Sequence, residues 1–360
     1  MERLVFVTQK VDPGHPALAA TVRKTAALAE LVDEVVVLTD GAVPGVLPAN
    51  CRVREFGAPT QLQRGARYAT ALTAELARSP RPLAVVAHMC PIYAVLAAPL
   101  VRPLGVPLLL WYTHWRATGL LRAADRVITD GVSVDVRTYP VPSRKVTALG
   151  HGIDVDEFPV APRPSPRPDG SLHVLHTGRT STAKGIAEVI RAVVLARARG
   201  LDVRYVFHGP SLTPEEQATK RDLEAQVAAL PLEADRAAIR LEGPVPRHEI
   251  PALLAACDVL VNNMKAGATD KAVFEAAAAG VPVLASNPAF DTLLEPRFLF
   301  TRDDPADLAA RLAAVAALTT EERTAVGAAL HDRVVASHSV ASWAAGILRV
   351  ARARRAGARP

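Results

Sequence analysis

The residues best suited to chemistry lie in HTGRTSTAKG, residues 176–185, where an apolar segment ends at Gly178 and helical periodicity begins near Ala183. The first turn of a helix exposes backbone N–H groups and a partial positive charge, so a loop of small residues that opens onto a helix can hold an anion. Arg179 and Lys184 add a guanidinium fork and an ammonium group beside that turn. The spacing predicts a diphosphate site; the alternative is a surface arginine and lysine beside an ordinary turn.

A second candidate site is DKAVFEAAAAGVPV, residues 270–283. Glu275 lies in an otherwise apolar helix interior, and a buried carboxylate needs either a partner or a ligand. Two ribose hydroxyls would satisfy it; the alternative is a surface glutamate on an amphipathic helix. Further N–H groups for phosphate are expected at the start of the same helix, in Asp270, Lys271, Ala272 and Val273.

Short apolar segments alternate with amphipathic segments almost throughout, and these elements must position both sites. The predicted strands are 3–8, 34–39, 83–88, 106–112, 126–130, 145–149, 172–177, 203–208, 239–242, 259–261 and 281–285. The predicted helices include 18–31, 62–78, 183–199, 214–230, 247–256, 271–279 and 339–355. Such alternation predicts an α/β protein with doubly wound parallel sheets. The proline-rich segment 160–170 predicts a linker between two domains.

The order of these motifs resembles the retaining nucleotide-sugar glycosyltransferases of family 4. A GR-x4-KG loop opens a helix, GPVPRHEIPALLAACDVLV follows, and a helix that carries glutamate ends in AAAAGVPV. The resemblance implies a GT-B fold, in which two Rossmann-like domains face an interdomain cleft. It also implies that Arg179 and Lys184 hold the donor diphosphate, that Glu275 holds the ribose, and that backbone near Val245 meets the base.

The resemblance also gives a role to each part of the chain. Residues 1–160 would form an N-terminal domain on the acceptor side, and 161–170 the linker. Residues 171–338 would bind the nucleotide sugar, and 339–360 would form a helix that packs back on the N-terminal domain. The sequence departs from the family at one position: the usual second glutamate, eight residues before Glu275, is Gly267. Asp270 is the candidate replacement.

In the first domain, candidate site residues follow the strand predicted at 106–112. The family has a histidine near this point that meets the donor sugar, and the resemblance carries that role to His114; the alternative is a core histidine bonded to backbone. Trp111, Tyr112 and Trp115 could floor an acceptor pocket, although aromatic packing in the domain would give the same pattern.

Weaker candidates follow other predicted strands. Gly14 lies where the family has a glycine-rich loop that reaches the phosphates, and His151 belongs to GHGID at residues 150–154, on the acceptor side. His88 and His151 suit a structural role at least as well as a catalytic one. Three asparagines could bond sugar hydroxyls or cap turns: Asn262, Asn263 and Asn287.

Composition excludes several other classes of function. Of the net charge of +6, five charges are the arginines of the tail 349–360, and the rest of the chain is nearly neutral. The fold therefore lacks the basic face expected of a nucleic-acid-binding protein. We interpret the tail as a solvated helix end, and weak peripheral contact with anionic lipid is the alternative. The three cysteines have no metal-ligand spacing, and no apolar segment predicts a membrane span or leader peptide, which favours the cytoplasm.

Taken with the resemblance, which implies retention at the anomeric carbon, these observations predict metal-independent transfer of a hexose-type sugar from a nucleoside diphosphate sugar to a hydroxyl. The donor is a substrate, and no other cofactor or metal is expected. His114, Arg179 and Lys184 are the predicted catalytic residues. Two alternatives remain open: a nucleotide-binding protein that has lost transfer, and a GT-B-fold nucleotide-sugar epimerase. The acceptor, the donor base and the oligomeric state are not specified by the sequence.

Overall fold

The chain folds into two compact units in a computed structural model that describes residues 1–15, 18–160, 167, 169–267 and 269–357. The first unit comprises Met1–Asp154 together with Ser337–Pro360, and the second comprises Val155–Ala336. These limits differ by a few residues from the predicted 1–160 and 171–338. Most of the predicted linker at 161–170 lies outside the described residues.

In the first unit, seven parallel strands of the described residues form one sheet. In chain order they are β1 (Arg3–Val11), β2 (Glu34–Ala42), β3 (Cys51–Glu55), β4 (Val85–His88), β5 (Leu108–Trp111), β6 (Asp130–Ser133) and β7 (Val146–Ala148). The order across the sheet is β3-β2-β1-β4-β5-β6-β7. The helices are α1 (Ala20–Ala29), α2 (Gln61–Leu76), α3 (Pro91–Val101), α4 (Gly119–Val127) and, last in the chain, α12 (Val340–Arg355).

The second unit repeats this plan with a five-stranded parallel sheet in its described residues. The strands are β8 (Leu172–Thr177), β9 (Val203–His208), β10 (Ile239–Glu242), β11 (Val259–Asn262) and β12 (Val283–Ala285), in the order β10-β9-β8-β11-β12. The helices are α5 (Ile186–Ala198), α6 (Pro214–Ala228), α7 (Glu233–Ala237), α8 (Ile250–Ala256), α9 (Lys271–Ala278), α10 (Pro305–Ala316) and α11 (Thr320–His338). The last two residues of α11, Ser337 and His338, belong to the first unit.

Burial explains why these segments are strands. Residues 4–7 of β1 and 35–38 of β2 have no exposed surface, because helices cover both faces of a parallel sheet. Short polar side chains begin the neighbouring helices: the Thr60 hydroxyl accepts a hydrogen bond from the Gln63 N–H that caps α2. The strand order reverses direction between β1 and β4 and again between β8 and β11, and ligands of such sheets bind at these switch points.

The strand predicted at 126–130 is wrong. Arg126 belongs to α4, which ends at Val127, and strand β6 begins only at Asp130. The Thr118 hydroxyl caps α4 by accepting from Leu121 N–H, and Leu121 and Ala124 turn the apolar side of this helix into the core. The apolar residues at the end of α4 therefore complete a helix, although their pattern is typical of a strand.

The last helix, α12, belongs to the first unit. Trp343 is fully buried there, and its ring meets the Trp111 ring edge-on with centroids 5.7 Å apart. Arg354 makes a bidentate ion pair with the buried Asp130, at 2.6 Å and 2.7 Å. Arg352 pairs with Glu2 at 2.6 Å. At least two arginines of the basic tail thus stabilise the first unit.

Candidate functional site

The loop after β8 runs close to the end of β9. Gly178 has φ 135°, and its N–H donates to the His208 carbonyl at 3.0 Å. A Cβ on Gly209 would lie 1.6 Å from the Gly178 carbonyl oxygen, so only glycine fits at that approach. A single 3-10 turn, Thr182–Lys184, precedes Gly185, whose φ is 57°, and α5 begins at Ile186. The helix therefore begins later than the predicted 183, because Gly185 interrupts it in the left-handed conformation.

Lys184 points back into this loop. Its Nζ donates to the Thr177 carbonyl at 3.2 Å and forms an ion pair with Asp270. Asn262, at the end of β11, donates to the same Asp270 oxygen at 2.7 Å. Burial raises the pKa of Asp270, but the charge and hydrogen bonds of Lys184 and Asn262 outweigh it, so the pKa lies below its ordinary value. The switch point between β8 and β11 thus holds a buried ion pair.

Asp270 also begins α9. Its side chain accepts from the Ala272 N–H at 3.4 Å. The first turn of α9, predicted to offer N–H groups to phosphate, is therefore capped by the Asp270 carboxylate. Asp270 is largely buried, with both oxygens engaged by protein groups. Its predicted role in reading the donor sugar stays a prediction, and these contacts must loosen before it can bond a sugar hydroxyl.

Arg179 lies at the edge of the same loop. Its Nη2 is 2.7 Å from Glu216 Oε1, and 54% of its side chain is exposed. Glu216 is itself fixed, because its other oxygen accepts from the Leu212 N–H at 2.7 Å and, in the capping box of α6, from the Thr213 N–H at 3.3 Å. The guanidinium is therefore placed by α6 but keeps donors that face solvent.

Glu275 is buried in α9 with two cationic partners. Its Oε1 is 2.8 Å from Arg247 Nη1 and 2.8 Å from Lys271 Nζ. Arg247 also pairs with Glu157, and its guanidinium lies 5.6 Å from the centre of the Phe158 ring. Burial lowers the pKa of Arg247, yet Glu275 and Glu157 raise it above its ordinary value overall. The alternative of a solvated surface glutamate is thus wrong for Glu275.

Sequence reasoning missed Arg247. It lies two residues after Val245, which is half-buried in the loop after β10, in the GPVPRHEI segment that was singled out for the base. An arginine in a segment expected to face a nucleotide was the available signal. The structure adds that Arg247 holds the carboxylate assigned to the ribose.

The charged groups of the second unit's site balance one another. Four cations (Arg179, Lys184, Arg247 and Lys271) pair with four carboxylates (Glu157, Glu216, Asp270 and Glu275). A diphosphate that enters this site must therefore compete for cations that already have partners.

The structure corrects the assignment of two aromatic residues of the first unit. Trp111 is 1% exposed and packs against Trp343, with the Lys24 Nζ 4.6 Å from its ring centre. Tyr112 is also buried, edge-on to Tyr139. Both are core residues and do not floor a pocket: Trp111 ends β5 in the interior of the sheet, and Tyr112 directly follows that strand.

Trp115 and His114 lie beyond that strand and are more accessible. Trp115 is 56% exposed, and its ring stacks on His114 with centroids 5.5 Å apart and an interplanar angle of 22°. The His114 Nδ1 accepts from the Arg116 N–H at 3.0 Å. The pair presents a flat surface on the first unit, and its contact with the donor sugar or acceptor stays a prediction.

The weaker candidates mostly bond protein groups. The Gly14 N–H donates to Asp12 at 2.8 Å in an exposed turn, and His151 is half-buried. His88 is fully buried, and burial and the Lys24 charge hold its pKa well below its ordinary value. Asn262 donates to Asp270, Asn263 donates to the Gly185 carbonyl, and the Asn287 side chain accepts from the Ala289 N–H.

Three properties of the described residues bear on other kinds of site. None of the helices in that part of the chain is long and apolar enough to cross a membrane. Likewise, no group of three or more His, Cys, Asp or Glu side chains within the described ranges is placed to hold a metal ion. Within the described residues, Cys51, Cys90 and Cys257 form no disulfide bond. Metal independence itself stays a prediction.

The chain is similar to known glycosyltransferases in sequence and in fold. Residues 171–317 match the family model of the glycosyl transferases group 1. The HepE protein of Anabaena, solved in complex with UDP, is 19% identical with a TM-score of 0.73, over 97% of this chain and 99% of HepE. The chain has the GT-B fold. A glycosyltransferase from Rickettsia africae is 13% identical, with a TM-score of 0.74 over 98% of each chain.

A third GT-B structure, the sucrose-phosphate synthase of Thermosynechococcus elongatus, is 15% identical, with a TM-score of 0.71 over 99% of this chain and 100% of the synthase. No curated protein matches the sequence. The predicted GT-B fold is therefore confirmed. The resemblance to glycosyltransferases is confirmed for residues 171–317, the segment that matches the glycosyl transferases group 1 model. Family 4 specifically stays a prediction, as does the role of each site residue in this GT-B protein.

The stability of the second unit should depend on pH through His176, which is fully buried in β8 and bonded to the Tyr205 hydroxyl. Burial lowers the pKa of His176 from 6.5 to about 3, so the unfolded chain binds a proton that the folded chain excludes between these values. The contribution of His176 to the free energy of unfolding is fully present above about pH 6.5. It falls at lower pH, by about 2 kcal/mol near pH 5.

Urea unfolding of the wild type and of His176→Gln at several pH values measures this effect. Between neutral pH and pH 5 the free energy of unfolding should fall by about 2 kcal/mol less in the variant than in the wild type. The rest of the fall includes His88 and His338, whose pKa values burial also lowers. His248→Gln, at an exposed position, is the matched control. An unchanged decline in His176→Gln would assign the acid sensitivity to other groups.

Proposed function

We propose that this protein transfers a hexose-type sugar from a nucleoside diphosphate sugar to a hydroxyl acceptor, with retention at the anomeric carbon. The observation that carries the proposal is the loop between β8 and α5, which brings Arg179 and Lys184 to the switch point within the segment that matches glycosyl transferases group 1. Cationic side chains at such a position are what a donor diphosphate requires.

The proposed chemistry follows from charge. As the bond from the sugar to the phosphate breaks, negative charge grows on the leaving diphosphate, and donors fixed in advance stabilise it most effectively. Lys184 is held by the Thr177 carbonyl and Arg179 by Glu216, so both are oriented before the donor arrives. We propose that Arg179 and Lys184 supply this stabilisation without a metal ion, that the leaving phosphate accepts the acceptor proton, and that His114 contacts the sugar.

A protein that binds the nucleotide without transfer is the second candidate function. Gly267 replaces the glutamate that the resemblance predicts, and Asp270, its candidate replacement, is already bonded to Lys184, Asn262 and Ala272. Product analysis separates the two: a new glycoside supports transfer, and binding without any product supports the second candidate. Proton NMR of the product tests retention, and an inverted anomer would contradict it.

Calorimetric titration with UDP, GDP, dTDP and ADP tests the nucleotide site. We expect one of these to bind saturably, and Arg179→Ala to weaken it about 10- to 100-fold, since hydrogen bonds to charged groups contribute about 1.5–3 kcal/mol. Arg191→Ala is the matched control, because Arg191 lies on α5 with an exposed side chain that pairs with Glu188. If none of the four binds, or if both variants weaken binding equally, the assignment of this loop to a diphosphate is wrong.

A further inference from the structure

In the free protein, the most buried cation of the proposed diphosphate site, Lys184, is already neutralised by a carboxylate. Lys184 is largely buried, and its ammonium is paired with Asp270, while Asn262 donates to the same carboxylate oxygen. Arg179 is different, since it is half exposed and can turn toward a ligand while Glu216 stays fixed by its backbone hydrogen bonds. Any anion that takes Lys184 must therefore change the environment of a buried carboxylate.

We propose that Lys184 exchanges its counter-ion Asp270 for the donor diphosphate when the donor binds, and that Asp270 then takes up one proton from solvent. This inference rests on the proposed function, because it requires a nucleoside diphosphate at the loop between β8 and α5. It gives Asp270 a role as a positioning residue: it holds the Lys184 ammonium in place in the free protein and is neutralised in the complex.

Burial is the physical reason for the proton. Asp270 has a solvent-shielded side chain, and its ionised form is stabilised by Lys184, by Asn262 and by the Ala272 N–H. Sharing Lys184 with a diphosphate weakens the strongest of these interactions and places further negative charge nearby. An isolated buried carboxylate costs several kcal/mol, whereas the protonated form avoids that cost.

Neither of the two titratable groups that act on Asp270, Lys184 and His176, takes up the proton in its place. Lys184 faces it from the loop after β8, and the charge of Asp270 also acts on His176 in β8. His176 is fully buried, and its pKa of about 3 keeps it neutral at working pH. The balance is simple: one proton moves from water or buffer to an Asp270 carboxyl oxygen as the nucleotide binds, and it returns when the nucleotide leaves.

Calorimetry in buffers of different ionisation enthalpy measures this proton directly. We would titrate the nucleotide that binds best into the full chain in Tris and in Hepes, at about pH 8, well above the second phosphate pKa of about 6, so that the diphosphate itself takes up little proton. The expected result is an uptake of about 0.3–1 proton per nucleotide, with an affinity that falls up to tenfold per pH unit at higher pH. Asp270→Asn should abolish both the uptake and that pH dependence.

Glu216→Gln is the matched control, because it changes the carboxylate that faces Arg179 and should leave the uptake intact. Binding without proton uptake in the wild type overturns the inference and leaves the proposed function standing, and this arm needs no variant to fold. Uptake that persists in Asp270→Asn assigns the proton elsewhere and also overturns it. If no nucleoside diphosphate binds, the proposed function fails, and this inference fails with it.

Discussion

Arg354→Ala is expected to lower the free energy of unfolding of the first unit by about 3–5 kcal/mol, because removal of one partner of a buried ion pair leaves the other charge uncompensated. Asp130 is 1% exposed, and both of its oxygens are held by the Arg354 guanidinium, at 2.6 Å and 2.7 Å. Urea unfolding followed by circular dichroism measures the loss.

Arg352→Ala is the matched control on the same helix. Arg352 pairs with Glu2 at 2.6 Å, but its side chain is 51% exposed, so the loss should stay below about 1 kcal/mol. Equal losses in the two variants would contradict the distinction between a buried and a solvated pair. If Arg354→Ala left stability unchanged and reduced binding to anionic vesicles, the basic tail would act in lipid contact and not in packing.

Gly150→Ala should be at least as damaging, with an expected loss of more than about 4 kcal/mol, a size that single substitutions rarely reach. Gly150 has φ 73°, and a Cβ at this position would lie 1.8 Å from the Ser337 carbonyl oxygen. Both atoms belong to the first unit, and the obstacle is backbone, which cannot turn away as a side chain can. Thermal and urea unfolding of the purified variant measure the effect.

Gly45→Ala isolates the backbone strain from the clash. Gly45 has nearly the same φ, 75°, and a Cβ there would meet nothing within 4 Å. The left-handed conformation alone costs about 1–2 kcal/mol in a residue other than glycine, so the control should lose only that much. Similar losses at both positions would mean that the chain at Ser337 moves aside at little cost.

Strands of both parallel sheets were readily predicted from the sequence. The bounds of β8, β9 and β10 match the predicted 172–177, 203–208 and 239–242. Strand β8 lies in the middle of its sheet and is mostly buried, whereas the edge strand β10 is marked by the alternation of Ile239 and Leu241 with charged residues. Strand β3 was missed: CRVRE carries three charges, which an edge strand tolerates. Helix α3 was missed as well, because PIYAVLAAPLV is apolar on every side and contains an internal proline.

The types of side chain at the site were predictable, and their partners were not. The loop with Arg179 and Lys184 and the helix with Glu275 are local patterns, each visible within about ten residues. Glu216 and Arg247 are brought to the site by other elements, so only the fold reveals them. Exposure was equally hidden: Trp111 and Trp115 are four residues apart, yet one is a core residue and the other lies at the surface.

The position of α12 has a consequence for the order of synthesis. The sheet of the first unit is translated first, but Trp343 and Arg354, which complete its packing, leave the ribosome after the whole second unit. Domains form as units while the chain emerges, so the second unit can finish folding before the first. Until the final turns of α12 appear, Asp130 has no guanidinium and the Trp343 site is open. A nascent chain stalled before residue 340 would therefore present an unfinished core to chaperones and proteases, even though its first 150 residues are complete.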